Sequence, residues 1–87
     1  MSFEFDEAKS RENKNKHGID FDEAQHLWLD PIAIMGPADS ATEERFVFVG
    51  KIGATVWAAI VTFRGPNIRI ISVRRARSEE REVYESE

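Results

Sequence analysis

Two hydrophobic periodicities divide the chain into a helical N-terminal part and a C-terminal part built of strands. Apolar residues recur at helical spacing after position 20, where Phe21, Ala24, Leu27 and Trp28 share one face. From position 32 onward the period is two, and β-branched and aromatic residues that favour strands dominate. The pattern predicts strands over 32–35, 45–49, 55–63 and 68–73, joined in part by turns short enough for hairpins.

Capping residues mark where the two N-terminal helices begin and end. Asp6 is a suitable N-cap for a first helix, and Gly18 suits the left-handed position after its last turn. Asp20, followed three residues later by Glu23, predicts a capping box for a second helix. The residue before a proline avoids the α region, so this second helix should end before Pro31.

The remaining segments complete an α+β fold class. The alternating Phe3-Glu4-Phe5 is either a short edge strand or an anchored terminus, and Gly36-Pro37 reads as the turn after the first strand of the meander. Ser78 is the expected N-cap of a short last helix. We therefore predict two N-terminal helices, a four-stranded antiparallel meander and a short C-terminal helix, in one domain of residues 1–87.

Composition excludes several classes of protein. The chain has no cysteine, so it has neither disulfides nor a thiolate zinc site, which fits a reducing cytosol. The first residues lack the basic region and apolar run of a signal peptide. The longest apolar run, 56–61, is far too short to cross a bilayer. We expect a cytoplasmic protein without a membrane partner.

Charge is segregated along the chain, although its sum is only −4. Residues 1–44 carry 4 basic and 11 acidic side chains, whereas residues 45–78 carry 7 basic side chains and no acid. Residues 79–87 are acidic again. A local basic surface of this kind suits a phosphate-containing partner. The alternative is that the acidic helices pack beside the basic sheet and neutralise it.

The only close lysine–histidine pair, Lys16-His17, ends the first predicted helix. Cations in a last helical turn followed by glycine also stabilise helix ends without any chemistry, so a purely structural role stays open. The second histidine, His26, lies off the apolar stripe and is expected on the surface. Lys16 and His17 are therefore the candidate chemical centre.

Several separated fragments together resemble one known family. In chain order they are Phe3-Glu4-Phe5-Asp6, Asn13-x-x-Lys16-His17-Gly18, Asp30-Pro31, Glu44-Arg45, Ile68-Arg69-Ile70-Ile71-Ser72-x-Arg74-Arg75-Ala76 and Glu80-Arg81-x-x-Tyr84. This ordered set resembles the BrnT family of toxins from type II toxin–antitoxin systems, and it covers essentially the whole chain. Phe5 stands where the family often has Trp, and Val73 where it often has Ala.

The resemblance implies a RelE-like ribonuclease fold and a toxin that blocks translation by cleaving RNA. It also implies a BrnA-type ribbon–helix–helix antitoxin, which neutralises the toxin in a hetero-oligomer and carries operator DNA binding for the pair. Cleavage of this kind uses the 2′-OH of the RNA as nucleophile, so we expect no metal and no cofactor. The acidic loop of Asp39, Glu43 and Glu44 lacks metal-site spacing.

Lys16 and His17 would then be catalytic, because histidine suits proton transfer and lysine either neutralises phosphate or acts as the base. Arginine forks suit the phosphate oxygens of the transition state, and the resemblance favours Arg74 and, less strongly, Arg64. Arg45, Arg75 and Tyr84 complete the expected substrate-binding set, with Tyr84 as a stacking or donor residue or as a plain packing residue.

The strand register predicts how these arginines are arranged. A three-residue turn at 65–67 would pair Arg64 with Ile68 and place Arg74 opposite Ala58. The two arginines would then share a face about 20 Å apart, with Arg75 on the other face.

Both faces of the predicted sheet are apolar. One face would hold Phe46, Phe48, Val56, Ile60, Ile68 and Ile70, and the other Val47, Val49, Trp57, Val61, Phe63, Ile71 and Val73. Short helices cover one face more easily than two. We therefore expect part of the second face, or an edge strand beside it, to be buried by another chain. The alternative function is a non-catalytic RNA- or protein-binding module that acts mainly as a co-repressor with the antitoxin.

Overall fold

The computed structural model describes residues 2–86, which form one mixed sheet with helices on both faces. The strands are β1 (Ser2–Glu4), β2 (Ile34–Ala38), β3 (Arg45–Ile52), β4 (Thr55–Arg64) and β5 (Asn67–Arg75). The helices are α1 (Glu7–His17), α2 (Phe21–Ala24), which continues as a 3₁₀ helix over Gln25–Leu29, and α3 (Ser78–Glu85). Within the described residues, none of the helices has the length and apolar character needed to cross a membrane.

Within residues 2–86 the sheet has five strands in the order β1-β5-β4-β3-β2, not the four predicted. Strand β1 lies parallel to β5, with Phe3 opposite Ile68. The edge-strand alternative for Phe3-Glu4-Phe5 is therefore the right one, shifted by one residue. Strand β1 is held here by burial of one ring, since Phe3 packs edge-on against Trp28 with 4.9 Å between ring centroids.

The helix caps follow the predicted chemistry, with two corrections. Asp6 accepts a hydrogen bond from the Lys9 N–H, and Gly18 ends α1 at φ 83°. The capping box of α2 is formed, but α2 has only four residues before the 3₁₀ helix begins. Helix α3 starts one residue earlier than predicted, because Glu80 accepts a hydrogen bond from the Arg77 N–H.

Strand β2 runs through Gly36 and Pro37, where a turn was predicted. Proline is tolerated because β2 is an edge strand of the sheet, where a missing N–H on the outer side breaks no ladder. The predicted start at position 32 is also wrong, since Ile32 lies in the turn that Asp30 closes by accepting its N–H.

A bulge in β5 explains why the predicted register is only half right. The β4–β5 turn has two residues, so Arg64 lies opposite Asn67 rather than Ile68. The register then shifts by one between Ile60 and Val61, where β5 carries one extra residue, Ile71. This shift restores the predicted pairing of Arg74 with Ala58.

Helices of the chain pack on both faces of the sheet, although α3 leaves part of its face open. On the face that α2 covers, Trp57 belongs to one apolar cluster with Phe46 and Phe48, so the predicted separation of Trp57 from these two phenylalanines is wrong. The cause is a two-residue β3–β4 turn, which sets Ile52 opposite Thr55. On the other face, α3 inserts Tyr84 among a smaller set of apolar residues, namely Val49, Val56 and Ala58.

Candidate functional site

Helix α1 is attached to the sheet by polar side chains. Its sequence, from Glu7 to His17, contains one apolar residue, Ala8, and its two buried residues are Ser10 and Asn13. The Ser10 hydroxyl accepts a hydrogen bond from the Phe21 N–H at 2.9 Å and so ties α1 to α2. Asn13 makes the connection to the sheet.

The side chain of Asn13 takes the place of a missing strand neighbour. Strand β1 pairs with β5 only as far as Arg69, so no strand of the described part of the chain lies along the outer edge of β5 beyond that point. There, Asn13 Nδ2 donates to the Val73 carbonyl at 2.9 Å, and Oδ1 accepts from the Val73 N–H at 3.2 Å. Nδ2 also donates to the Ile19 carbonyl at 2.8 Å. One buried amide therefore fixes the end of α1, the following loop and β5 relative to one another.

Lys16 and His17 consequently lie against the bulged part of β5. Both line an open cavity of about 260 Å³ together with Ile71 and Ser72, and Lys9, Glu12 and Asn13 complete its wall. Lys16 is exposed and His17 is half-buried, so both can reach a ligand in the cavity. The Lys16 ammonium and the His17 imidazole lie beside the Ser72 hydroxyl, and together these groups can bind a phosphate and transfer protons.

Arg74 lies two residues beyond Ser72 but is held by another element. Its guanidinium forms a two-pronged ion pair with Glu80 of α3, with N–O distances of 2.7 and 2.9 Å. Both side chains are about a fifth exposed. The hydrogen bond from Arg74 lowers the pKa of Glu80, and the Glu80 carboxylate raises the pKa of Arg74. The Arg74 fork is thus engaged within the chain.

The remaining arginines of this sheet face lie toward its other end. Arg64 is exposed at the end of β4, six residues along the strand from Ala58, which is roughly 20 Å from Arg74 at 3.3 Å per residue. Arg45 approaches Glu43 at 3.5 Å, and Arg69 approaches Glu4 at 3.6 Å. These residues form an arginine-rich end of the sheet, distinct from the cavity at Lys16 and His17.

Arg75 and Tyr84 occupy very different environments. Arg75 is exposed, and its guanidinium carbon lies 5.7 Å from the centre of the Trp57 ring, which agrees with the predicted face. Tyr84 is 4% exposed, and its hydroxyl donates to Asp30 at 2.5 Å. That hydrogen bond and burial raise the pKa of Tyr84 to about 12. In this arrangement the tyrosine packs α3 onto the sheet and does not present its ring to a ligand.

The structure therefore brings Lys16 and His17 together with Ser72, whereas the arginines lie at three separate places. Sequence reasoning gave no role to Asn13, Ser72 or Glu80. One signal for Asn13 was available, because a helix with a single apolar residue needs polar contacts to pack. The partner of Arg74 gave no such signal, since Glu80 is one of four glutamates in α3.

Candidate metal ligands are scattered over the described chain. Among residues 2–86, no three histidine, aspartate or glutamate side chains come together in a geometry suited to a metal ion. The acidic loop after β2 contributes Glu43 to the ion pair with Arg45.

Comparison with known proteins shows the family of this chain. No curated protein matches the sequence. A family model described as the ribonuclease toxin BrnT of type II toxin–antitoxin systems matches residues 5–80. This match includes α1, the whole of β2 to β5 and the first residues of α3. The chain therefore belongs to the BrnT family of ribonuclease toxins of type II toxin–antitoxin systems.

Proposed function

We propose that this chain is an endoribonuclease that cleaves RNA without a metal, at the cavity lined by Lys16 and His17. The observation that carries the proposal is the attachment of α1 to Val73 of β5 through Asn13, which places Lys16 and His17 in a cavity with Ile71 and Ser72, in a chain of a ribonuclease toxin family. The 2′-OH of the RNA attacks the adjacent phosphorus, a P–O bond to the 5′ oxygen breaks, and a 2′,3′-cyclic phosphate forms. The protein supplies proton transfer and charge stabilisation.

The roles follow from the chemistry of each group. His17 exchanges protons with the 2′-OH or the leaving 5′ oxygen, and Lys16 neutralises the phosphate or serves as the base. Arg74 stabilises charge on the phosphate oxygens, for which it must leave or share its bond to Glu80. Arg64 lies roughly 20 Å from Arg74 and therefore contacts a more distant phosphate of the RNA rather than the one that is cleaved. Arg45 and Arg75 hold flanking phosphates. Tyr84 is assigned to packing, because its hydroxyl is bound to Asp30.

The biological setting is an extension of family membership. We propose a RelE-like fold, cleavage that blocks translation in the cytoplasm, and neutralisation by a BrnA-type ribbon–helix–helix antitoxin. The antitoxin would carry the operator DNA contacts of the resulting hetero-oligomer. The five-stranded sheet with helices on both faces supports this assignment, as does the concentration of arginines on β3 to β5.

The test is an RNA cleavage assay with the double variant Lys16→Ala/His17→Ala. Cleavage should fall by at least about 10²-fold, the usual contribution of acid–base catalysis. Lys16 is exposed and His17 is half-buried in the last turn of α1, so the free energy of unfolding should fall by no more than about 1 kcal/mol. A matched control, Lys14→Ala/His26→Ala, removes the same two residue types away from the cavity and should leave the rate unchanged. Cleavage by the first variant at the parental rate would refute the proposed site.

A second candidate function is a non-catalytic binding module that acts with the antitoxin as co-repressor. The observation that favours it is the Arg74–Glu80 ion pair, which occupies the arginine fork most suited to a transition state. Under this alternative the parental chain binds RNA or the antitoxin but shows no cleavage, and the Lys16→Ala/His17→Ala variant differs from it only in affinity.

A further inference from the structure

An apolar groove lies between the edge strand β2 and helix α3. Its floor is formed by Ile34, Val47 and Val49, and its volume is about 330 Å³. One large apolar side chain stands on its rim, Val83 at 57% exposed. Helix α3 covers part of this sheet face but stops short of the edge. A contiguous apolar surface of this kind normally marks an interaction site.

The groove also runs along an open sheet edge. Strand β2 pairs with β3 on one side only, and its outer side carries no strand of the described chain. Such an edge accepts an extended segment from another chain, whose side chains then fill the neighbouring groove. Pro37 withholds one donor, so pairing would centre on the residues from 34 to 36.

The charge of the groove separates it from an RNA surface. Glu79 and Glu80 line it, and α3 carries Glu82 and Glu85 as well. Glu80 is bound to Arg74, whereas Glu79 is exposed and forms no ion pair within residues 2–86. An acidic rim repels phosphate and favours a segment that combines apolar residues with lysine or arginine.

We propose that this groove is the docking surface for a segment of the antitoxin, and that the segment carries apolar and basic residues. The proposal rests on the proposed function in one respect, because the partner is the antitoxin that the family description implies. Apolar side chains of the segment would contact the floor and Val83, its backbone would extend β2, and its cations would lie beside Glu79.

Docking at the groove bears directly on the candidate site. Glu80 is a residue of α3 that lines the groove and also forms the ion pair with the Arg74 guanidinium. A segment packed on Val83 holds α3 against the sheet and so keeps the Arg74–Glu80 ion pair closed. The antitoxin would thereby restrain Arg74 without covering the cavity at Lys16 and His17.

The experiment measures binding of a purified BrnA-type antitoxin, the partner proposed above. Val83→Glu should weaken binding by at least about tenfold, because it places a charge in the apolar contact. The control Leu29→Glu changes a side chain that is 77% exposed on the α2 side of the sheet, and it should bind like the parent. Equal binding by all three proteins would overturn the proposal. So would a Val83→Glu variant that only disrupts self-association of the chain or only weakens RNA binding.

Charge reversal tests the basic character of the segment. Glu79→Lys should weaken antitoxin binding several-fold and reduce its salt dependence. Asp22→Lys is the matched control, since Asp22 lies with Leu29 around a separate surface depression. Tighter binding by Glu79→Lys would show an acidic segment and contradict the proposal.

Growth assays separate failure of this inference from failure of the proposed function. Expression of the parental chain should arrest growth, and co-expression of the antitoxin should restore it. Val83→Glu should arrest growth with less rescue, whereas Leu29→Glu should be rescued fully. If the parental chain does not arrest growth, the proposed function fails, while the binding measurement still decides whether the groove holds the antitoxin.

Discussion

At the scale of single residues, the side chain of Asn13 makes the hydrogen bonds to β5 that a neighbouring strand would otherwise make. A primary amide presents one donor and one acceptor with nearly the geometry of a peptide group, so it can pair with both the N–H and the carbonyl of Val73. Asn13 lies four residues before His17, so its bonds to β5 fix the position of the C-terminal end of α1 relative to that strand. The distance between the Lys16–His17 pair and Ser72 thus depends on a buried amide in the wall of the same cavity.

We predict that Asn13→Ala lowers kcat far more than it changes KM. The loss of three buried hydrogen bonds lets the end of α1 move, and displacement of catalytic groups by about 1 Å can cost about 10²-fold in rate. The variant should also lose about 1 to 3 kcal/mol of stability, because Val73 keeps unpaired polar groups. Kinetics and urea unfolding of the same preparation measure both effects.

Ser10→Ala is the matched control for that prediction. Ser10 is also buried in α1, but its hydrogen bond goes to the Phe21 N–H and not to β5. This variant should lose about 1 kcal/mol of stability and keep its kcat. A kcat that falls equally in both variants would mean that Asn13 acts only through stability.

At the scale of elements, helix α3 is attached mainly through two polar contacts. Tyr84 reaches Asp30, whose carboxylate also accepts the N–H groups of Ile32 and Lys51. Burial opposes the charge of Asp30, but these hydrogen bonds together hold its pKa below the ordinary value. The second contact is the Arg74–Glu80 ion pair. Together they join α3 to both ends of the β2–β3 segment and to β5.

The Tyr84–Asp30 hydrogen bond predicts a loss of stability at alkaline pH. The pKa of Tyr84 is raised to about 12 in the folded chain, against about 10 when unfolded, so its contribution is complete below about pH 10. It declines as the pH rises from about 10 toward 12, because the unfolded tyrosine ionises first. Unfolding by urea should show about 1 kcal/mol less stability at about pH 11 than at about pH 9.

Tyr84→Phe removes that alkaline decline and provides its test. The variant should be less stable by about 1.5 to 3 kcal/mol at neutral pH, since a hydrogen bond to a charged group is lost. Tyr84 is the only tyrosine of the chain, so no other phenol contributes to the comparison. The same decline in both proteins would assign it to other groups, such as lysines.

How much of these elements the sequence predicts depends on the range of the interaction. The caps at Asp6, Gly18 and Asp20 involve neighbours within a few residues, and all three were predicted correctly. The pairing of β1 with β5 joins residues 65 positions apart, and no local pattern announces it. The bulge at Ile71 also has no local sequence signal, because one extra apolar residue in a strand of β-branched residues leaves the composition of that strand unchanged.

The geometry of the candidate site could be predicted only in part. The sequence predicts that Lys16 and His17 lie together because a helix end is a local feature, and the structure places both in one cavity, without any of the expected arginines. Their catalytic role stays a prediction. Which arginine accompanies this pair was not predictable, since the arrangement depends on a register that shifts within β5. The engagement of Arg74 by Glu80 depends on how α3 folds back, which is a tertiary fact.

At the scale of the whole molecule, charge is divided between surfaces that are suited to different partners. The arginine-rich end of the sheet and the exposed Lys16 suit phosphate, whereas the rim of the β2–α3 groove is acidic. The net charge of −4 hides this division completely. A protein that must release its substrate and still bind an inhibitor gains from such separation, because one partner does not compete electrostatically with the other.

The division of charge predicts that RNA affinity falls steeply as the salt concentration rises, and that specific arginines account for this dependence. Arg45 and Arg64 lie on one sheet face, at the end away from α3. For single-stranded RNA, each phosphate contact adds about 0.7 to the slope of the logarithm of the binding constant against the logarithm of the salt concentration. Arg45→Ala/Arg64→Ala should therefore reduce the slope by about 1.4. The control Arg11→Ala/Lys14→Ala removes two charges from exposed positions of α1 and should change the slope much less. If the two double variants reduce the slope equally, RNA responds to net charge alone, and the arginine-rich end is not its binding surface.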